Sequence, residues 1–311
     1  MDSLFDESLN SLKALEEDTE HKGFDLQNYD EYIQEKDERN GKKCLKKPKD
    51  CDKKGHLLKL VKYETNKSKI KVRKLQEDNV IPKHPFRLLM VGRSGSGKSN
   101  CLINLMSRGH FYGRTDESDK KSCYFDEIFL FSPTSDGGDD LVEQLQLPDN
   151  RIISNPADFP DALRNIFKIQ KEIISKKGLV KSPKLVIIFD DCQSAERFLK
   201  SEDFTKLFIA GRHYNISVIC CGQSWTKFAR VTRLNASNIM LYPSSNSEIK
   251  LLCEEYTPPN CSNKSFRKLV SYATADQYNF LHINNQVSNP DDKYRKNLDS
   301  ILTIQNKEEQ T

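Results

Sequence analysis

Phe86-Arg87-Leu88-Leu89-Met90-Val91-Gly92-Arg93-Ser94-Gly95-Ser96-Gly97-Lys98-Ser99 runs from a short apolar stretch into a turn rich in glycine and serine. Cys101, Leu102, Leu105 and Met106 follow at helical spacing. The apolar run suits a fully buried parallel strand. Gly92-x-x-x-x-Gly97-Lys98-Ser99 is then a complete phosphate-binding loop, set between strand and helix as that motif requires. Glycines let backbone N–H groups wrap a phosphate without Cβ clashes, and the helix presents its positive N-terminus to the anion. Lys98 can reach β- and γ-phosphate oxygens as a point charge, and Ser99 can hold Mg2+. Gly92, Arg93, Ser94, Gly95, Ser96, Gly97, Lys98 and Ser99 are therefore the candidate contacts for the phosphates of a nucleotide.

Downstream, strands alternate with helical patterns. Residues 125–131 read as a second strand and Ile152–Ile153 as a short one, with 136–150 an insertion between them. Asp158 reads as an N-cap, with Pro160 tolerated in the first turn of a helix striped by Phe159, Leu163, Ile166, Phe167, Ile173 and Ile174. Leu185–Phe189 is an aliphatic strand, and Phe204, Leu207 and Phe208 mark a helix that Gly211 should end. Residues 216–221 and Asn238–Leu241 are further strands. Ser245-x-x-Glu248 is a capping box ahead of another helix, and 278–283 would close the sheet. The alternation predicts an α/β P-loop NTPase with a doubly wound, mostly parallel sheet.

The other half of a nucleotide site should be a strand ending in a carboxylate. Leu185-Val186-Ile187-Ile188-Phe189-Asp190-Asp191 fits: Asp190 lies at the strand's C-terminal edge, where ligands of open α/β sheets bind, and would hold Mg2+. Asp191 would orient the attacking water. Gln223 follows the 216–221 strand, where an amide can bond both that water and a γ-phosphate oxygen. P-loop, Asp-Asp strand and Gln-ended strand together indicate the NTPases with an additional strand between the first two elements, the RecA/FtsK-like type. No Asn-Lys-x-Asp base reader of GTPases and no Leu-Ser-Gly-Gly-Gln transporter signature occurs.

The rest of the 311 residues is less apolar. Charged residues make up 30%, and mean hydropathy is −0.69. Residues 1–40 hold 13 Asp/Glu against 4 Lys/Arg, whereas 41–75 hold 14 Lys/Arg against 3 Asp/Glu, although the whole chain carries only +4. Such blocks read as a largely disordered, charged N-terminal arm. The acidic leader is either solubilising or a docking peptide built on Phe5, Leu9 and Leu12. The basic segment is a linker, a nuclear-import peptide around Lys42 to Lys49, or a contact for duplex phosphates. The expected organisation is an acidic leader 1–40, a basic arm or linker 41–80, the ATPase domain 81–284, and a polar tail 285–311 with Leu298, Ile301 and Leu302 on a short helical face. No apolar run approaches the length of a membrane span and no signal sequence begins the chain, so membrane insertion and secretion are not expected. The nine cysteines include no Cys-x-x-Cys pair and read as reduced thiols. Cys44, Cys51 and His56 lack the paired spacing of a zinc clip.

Residues 86–92 through Asn104-Leu105, Phe189-Asp190-Asp191, Gly211-Arg212-His213-Tyr214-Asn215-Ile216-Ser217 and Cys221-Gly222-Gln223-Ser224 together resemble the poxvirus-type DNA-packaging ATPases. That family belongs to the FtsK/HerA class and is carried by large DNA viruses, virophages and Polinton-like elements. The resemblance covers about 84–284, and its most specific part is the 211–217 segment. It implies a homo-oligomeric ring that hydrolyses ATP with Mg2+ to drive double-stranded DNA into capsids, with capsid proteins as partners, no membrane, and an intracellular site of virus assembly. It assigns Lys98 and Ser99 to phosphate and magnesium, Asp190 to magnesium, Asp191 to water activation and Gln223 to sensing the γ-phosphate. Arg212 becomes the arginine finger or a subunit contact, with Arg230 and Arg233 competing for the role. Asp191 stands where many relatives of the wider class carry Glu. The nucleotide motifs alone would also fit a helicase, a nucleotide kinase or a nucleotide-gated capsid-assembly scaffold. No kinase lid or helicase nucleic-acid motif accompanies them.

Overall fold

The computed structural model describes residues 70–74, 80–109, 111–113, 124–134, 140–259 and 261–304. The acidic leader, the candidate zinc clip and all of the basic segment except 70–74 lie outside the described residues.

Among the described residues ten strands form one sheet. In chain order they are β1 (Ile70–Lys74), β2 (Arg87–Val91), β3 (Glu127–Phe131), β4 (Ile152–Ile153), β5 (Leu185–Phe189), β6 (Ile216–Gly222), β7 (Asn238–Leu241), β8 (Leu281–Asn284), β9 (Tyr294–Lys296) and β10 (Ser300–Ile304). Across the sheet the order is β1-β10-β9-β8-β7-β2-β6-β5-β3-β4. Strands β7 to β4 of that order are mutually parallel, and β8, β9, β10 and β1 add an antiparallel wing. Every residue of β5 and β6 is buried, as continuous aliphatic strands covered on both faces should be.

The helices are α1 (Lys98–Ser107), α2 (Asp140–Leu145), α3 (Phe159–Lys177), α4 (Glu196–Leu199), α5 (Glu202–Ala210), α6 (Arg230–Asn235), α7 (Asn246–Tyr256) and α8 (Asn263–Ala273). From β2 the chain moves toward β4 through α1 and α2, then returns through α3, α5 and α6 to β7. Right-handed crossovers in opposite directions put these two sets on opposite faces. The packing agrees: α1 lies on α2, whereas α3 packs on α5 and α5 on α6. The sheet is therefore doubly wound, and β6 is the additional strand between β2 and β5. No helix among the described residues is long and apolar enough to cross a membrane.

Several local expectations change. Asp158 precedes α3, but its side chain makes no cap and instead accepts from Asn155 at 3.1 Å. Gly211 ends α5 in right-handed conformation, and the chain continues through a short 3-10 turn to Asn215, which takes the left-handed turn at φ 56°. Ser245 caps α7 as expected, but Glu248 Oε1 accepts from the Trp225 N–H. The strand expected over 278–283 starts three residues later and does not close the sheet, because β9, β10 and β1 lie beyond it. Leu298, Ile301 and Leu302 form no helical face: they are buried in and beside β10, where alternate residues already have a sheet to pack on.

The N-terminal edge of the parallel strands is locked by polar side chains. His84 Nε2–H donates to Asn215 Oδ1 at 2.8 Å, and the Ser217 hydroxyl donates to His84 Nδ1 at 2.6 Å while accepting from the Phe86 N–H. Asn215 Nδ2 donates to the carbonyls of Ser182 and Pro183. Each of these side chains thus has its partner only if the imidazole is neutral. Burial drives the His84 pKa down from 6.5 to about 4, opposed by the Asn215 bond and Asp126 and aided by Lys184. The unfolded chain then takes up a proton near pH 6.5 that the folded chain refuses until about pH 4. Stability is expected to be full above pH 6.5 and to fall by up to about 3 kcal/mol as pH drops toward 4. Urea unfolding between pH 4 and 8 will show this slope, and His84→Gln will flatten it.

Candidate active site

Parallel register brings the functional segments side by side. Val91 pairs with Gly222 and Phe189 with Cys220, so Gly92 leaves the sheet beside Gly222-Gln223 while Asp190 leaves beside Cys221. The Gly92 N–H donates to the Gly222 carbonyl at 3.1 Å, tying the phosphate loop to the end of β6. Neighbouring β2 and β6 feed helices on opposite faces, which makes this crevice the switch point of the sheet.

The loop from Gly92 to Gly97 opens α1. Gly97 sits at φ 93°, a conformation that a side chain would strain, and a Cβ on Gly92 would lie 2.5 Å from Tyr242 Cβ. Serine side chains cap α5, α7 and α8, but Gly97 leaves the first N–H groups of α1 without a side-chain cap. Those groups are what a phosphate oxygen would bond. Lys98 folds back, donating to the carbonyls of Gly92 at 2.7 Å and Arg93 at 2.9 Å. Burial lowers its pKa, while Cys221, Asp190 and Asp191 favour its charged form. The Ser96 hydroxyl is buried with no hydrogen-bond partner, 2.9 Å from where a Cβ on Gly92 would lie. Arg93, Ser94 and Gly95 are exposed along its rim.

Ser99 Oγ donates to Asp190 Oδ2 at 3.4 Å, so a hydroxyl and a largely buried carboxylate face each other across the crevice. Two hard oxygens suit Mg2+, which commonly takes one or two protein ligands and completes its shell with phosphates and water. Among the described residues no cluster of three or more His, Cys, Asp or Glu could hold a metal by itself. Asp190 is positioned through its N–H, which donates to the Phe131 carbonyl at 3.0 Å. Asp191 follows at φ 44° with an exposed side chain, its N–H donating to Asp190 Oδ1 at 3.1 Å. Cys221 and Cys192 flank Asp190, and burial raises both thiols above their usual range. Gln223 is half-buried at the end of β6. Sequence reasoning missed two aromatics here: Tyr242, packed on Gly92, and Tyr278, packed on Gly97. Neither lies in a phosphate motif, and no local pattern points from either to the loop.

The three candidate arginines differ in setting. Arg212 is exposed in the turn before β6, at the N-terminal edge of the sheet, a full strand length from Gly92. Arg230 is exposed at the start of α6. Arg233 is committed elsewhere: its guanidinium donates to Glu255 Oε1 at 2.6 Å, to Glu255 Oε2 at 3.1 Å and to the Phe228 carbonyl at 2.7 Å. It also lies 5.7 Å from the centroid of the buried Trp225 ring. Arg233 is thus a structural tie between α6 and α7, and not a free cation on the rim.

Residues 73–309 match the family model described as Poxvirus A32 protein. The chain belongs to this family. DNA packaging protein OPG160 of monkeypox virus is 29% identical over 168 residues, which are 54% of this chain and 50% of that protein. The variola virus protein of the same name is also 29% identical over 168 residues, covering 54% of this chain and 55% of its own. The chain spans about half the length of the curated relatives it matches. Among solved structures, the genome packaging NTPase B204 from Sulfolobus turreted icosahedral virus 2, in complex with ATP-gammaS, has a TM-score of 0.44 at 16% identity, covering 64% of this chain and 92% of that one. EssC (ATPases 2 and 3) from Geobacillus thermodenitrificans has a TM-score of 0.44 at 13% identity, covering 72% and 40%.

The Arg233–Glu255 pair separates a structural arginine from a catalytic one. The two side chains are 9% and 4% exposed, so removing either leaves a buried charge uncompensated. Arg233→Ala and Glu255→Ala are each expected to lose about 3–5 kcal/mol in urea unfolding, whereas Arg212→Ala and Arg230→Ala stay within about 0.5 kcal/mol of the parent.

Proposed function

We propose that this member of the Poxvirus A32 family hydrolyses ATP with Mg2+ and uses the cycle to drive double-stranded DNA into capsids, acting as a homo-oligomeric ring at an intracellular site of virus assembly. The observation that carries this reading is β6 inserted between β2 and β5, which lines up Gly92, Gln223 and Asp190 along one crevice. Family membership and the name of the OPG160 relatives support DNA as the transported polymer and capsid proteins as partners.

Each residue has a defined part in this reading. The uncapped N–H groups of α1 take up phosphate oxygens. Lys98 exchanges its two carbonyl partners for the β- and γ-oxygens, placing a cation where charge spreads in phosphoryl transfer. Ser99 and Asp190 would hold Mg2+, which when bound offsets charge on the transferring phosphoryl group. Asp191 orients the attacking water. Gln223, hydrogen-bonded through the γ-phosphate, reports whether the nucleotide is a triphosphate. Lys98→Ala is expected to abolish ATP binding and turnover, and Asp191→Asn to keep binding while losing turnover. Calorimetric titration alongside a phosphate-release assay checks both, and normal turnover in Asp191→Asn would remove that residue from the chemistry. Duplex DNA is expected to stimulate the wild-type rate. A kinase would ignore DNA, and a nucleotide-gated scaffold would scarcely turn over.

The site would be completed by an arginine from the neighbouring subunit. Arg212 and Arg230 are exposed, and the adjoining α5 and α6 carry Ile209, Val231 and Leu234 at 48%, 47% and 44% exposure, apolar surface suited to a subunit contact. Arg212 is the first assignment and Arg230 its competitor. Trans arginines contribute about 10³–10⁵ in turnover. Arg212→Ala is therefore expected to lose at least about 10³-fold in rate with ATP affinity retained. Co-assembled with inactive Lys98→Ala subunits, it should regain activity where an intact phosphate loop meets an intact arginine. Mixed rings that stay inactive would shift the role to Arg230.

A further inference from the structure

Tyr278 has a backbone that its side chain does not explain. Among the described residues five non-glycines have positive φ: Gln146, Asp191, Asn215, Tyr278 and Asn297. Asp and Asn tolerate the left-handed region because their short side chains bond locally, but an aromatic residue at φ 67° is strained. Such strain persists only where the surroundings over-determine it, and it concentrates at functional sites.

The surroundings here are well tied. The Asn279 N–H donates to the Asp276 carbonyl at 3.2 Å and its Nδ2 to Asp276 Oδ2 at 2.9 Å, while Lys296 Nζ donates to the same carboxylate at 2.8 Å. Asn297 Nδ2 donates to Asn279 Oδ1 at 3.0 Å, and its Oδ1 accepts from the Phe280 N–H at 3.2 Å. Phe280 packs on Tyr242, with ring centroids 5.1 Å apart, and Tyr242 packs on Gly92. Residues on both sides of Tyr278 are thus pinned to the antiparallel wing and, through Tyr242, to the phosphate loop.

All this rigidity presents a ring that stays half exposed. Tyr278 is 50% accessible, whereas Phe280, two residues on, is fully buried. The ring lies on the phosphate loop: a Cβ on Gly97 would come within 3.0 Å of Tyr278 Cδ1 and 3.6 Å of Cγ. Topology explains the meeting. Strand β8 runs antiparallel to β7 with Leu281 opposite Leu241, and Leu241 pairs with Val91, so the turn before β8 emerges at the edge where β2 gives way to the loop.

We propose that the exposed ring of Tyr278 is the platform on which the base of a nucleoside triphosphate stacks when its phosphates occupy the loop. This rests on the nucleotide reading above and deepens it. The loop motif recognises phosphates alone, so affinity for the rest of the nucleotide must come from groups beside it. An aromatic ring resting against Gly97 and half open to solvent offers a base an apolar surface beside the loop. Stacking on an aromatic ring is base-tolerant and strengthens binding by about 5- to 150-fold. Tyr278 would therefore favour nucleotides over inorganic polyphosphates without selecting strongly among bases.

Calorimetric titration of the full chain with ATP and with inorganic tripolyphosphate tests this, using wild type, Tyr278→Phe, Tyr278→Ala, Tyr278→Gly and Lys98→Ala. Tyr278→Phe is expected to match wild type. Tyr278→Ala and Tyr278→Gly are expected to bind ATP at least fivefold more weakly and tripolyphosphate with unchanged affinity. The glycine variant also relieves the positive φ, so its Tm should equal or exceed that of wild type and exclude a folding defect. Unchanged ATP affinity in Tyr278→Ala overturns the proposal while leaving the nucleotide reading intact. An equal loss for ATP and tripolyphosphate also overturns it, making the ring a prop for the loop. Wild type that binds ATP no better than Lys98→Ala overturns both.

Discussion

The pairing of β6 with β2 on one side and β5 on the other is the constraint on which the candidate site depends. Five consecutive pairs on each side set which residue leaves the sheet beside which. The side-chain period of a strand is two, so a slip of one residue in β5 would turn Asp190 to the opposite face and away from Ser99. Large apolar side chains enforce the register. Phe131, Phe159, Phe189, Phe198 and Phe204 form a cluster of ring contacts around the end of β5, with neighbouring centroids 4.7 to 5.8 Å apart. Precision at the crevice is thus obtained from packing one layer away from it.

The two edges of the parallel sheet do different work. The C-terminal edge carries the phosphate loop, Asp190, Asp191 and Gln223. The N-terminal edge carries Asn215 and Ser217, which hold His84 and the loop ahead of β5. These two residues belong to the segment on which the family resemblance rested most, and their role in the fold is architectural. Asn215 and Ser217 thus serve the fold, whereas Arg212 of the same segment stays exposed.

What could be read from the sequence follows from where the determinants lie. Leu185–Phe189, 216–221 and the stretch before Gly92 announce themselves because burial on both faces demands unbroken aliphatic runs. The phosphate loop is legible because its chemistry is confined to eight consecutive residues. Beyond β8 the antiparallel wing is not legible: β1 lies in a lysine-rich segment, and β9 is only Tyr294-Arg295-Lys296, whose burial comes from tertiary partners. Arg233 could not be told from a surface arginine, because Glu255 lies 22 residues away on another helix. Tyr278 was hidden for the same reason, since its position over Gly97 exists only once β8 is laid against β7.

Strand β1 has a consequence for the order of assembly. Ile70 pairs with Ile304, the first described residue with the last, so this ladder closes a loop that contains nearly the whole described fold. Chain-closure entropy grows with loop length and is recovered only when the ends meet on a surface already in place. Strand β10 becomes that surface only after β7, β8 and β9 have been laid down in turn. An edge strand closed over so long a loop can dock only after the strands it rests on, and it forms a latch able to open by local fraying while the nucleotide crevice, five strands farther in, keeps its shape.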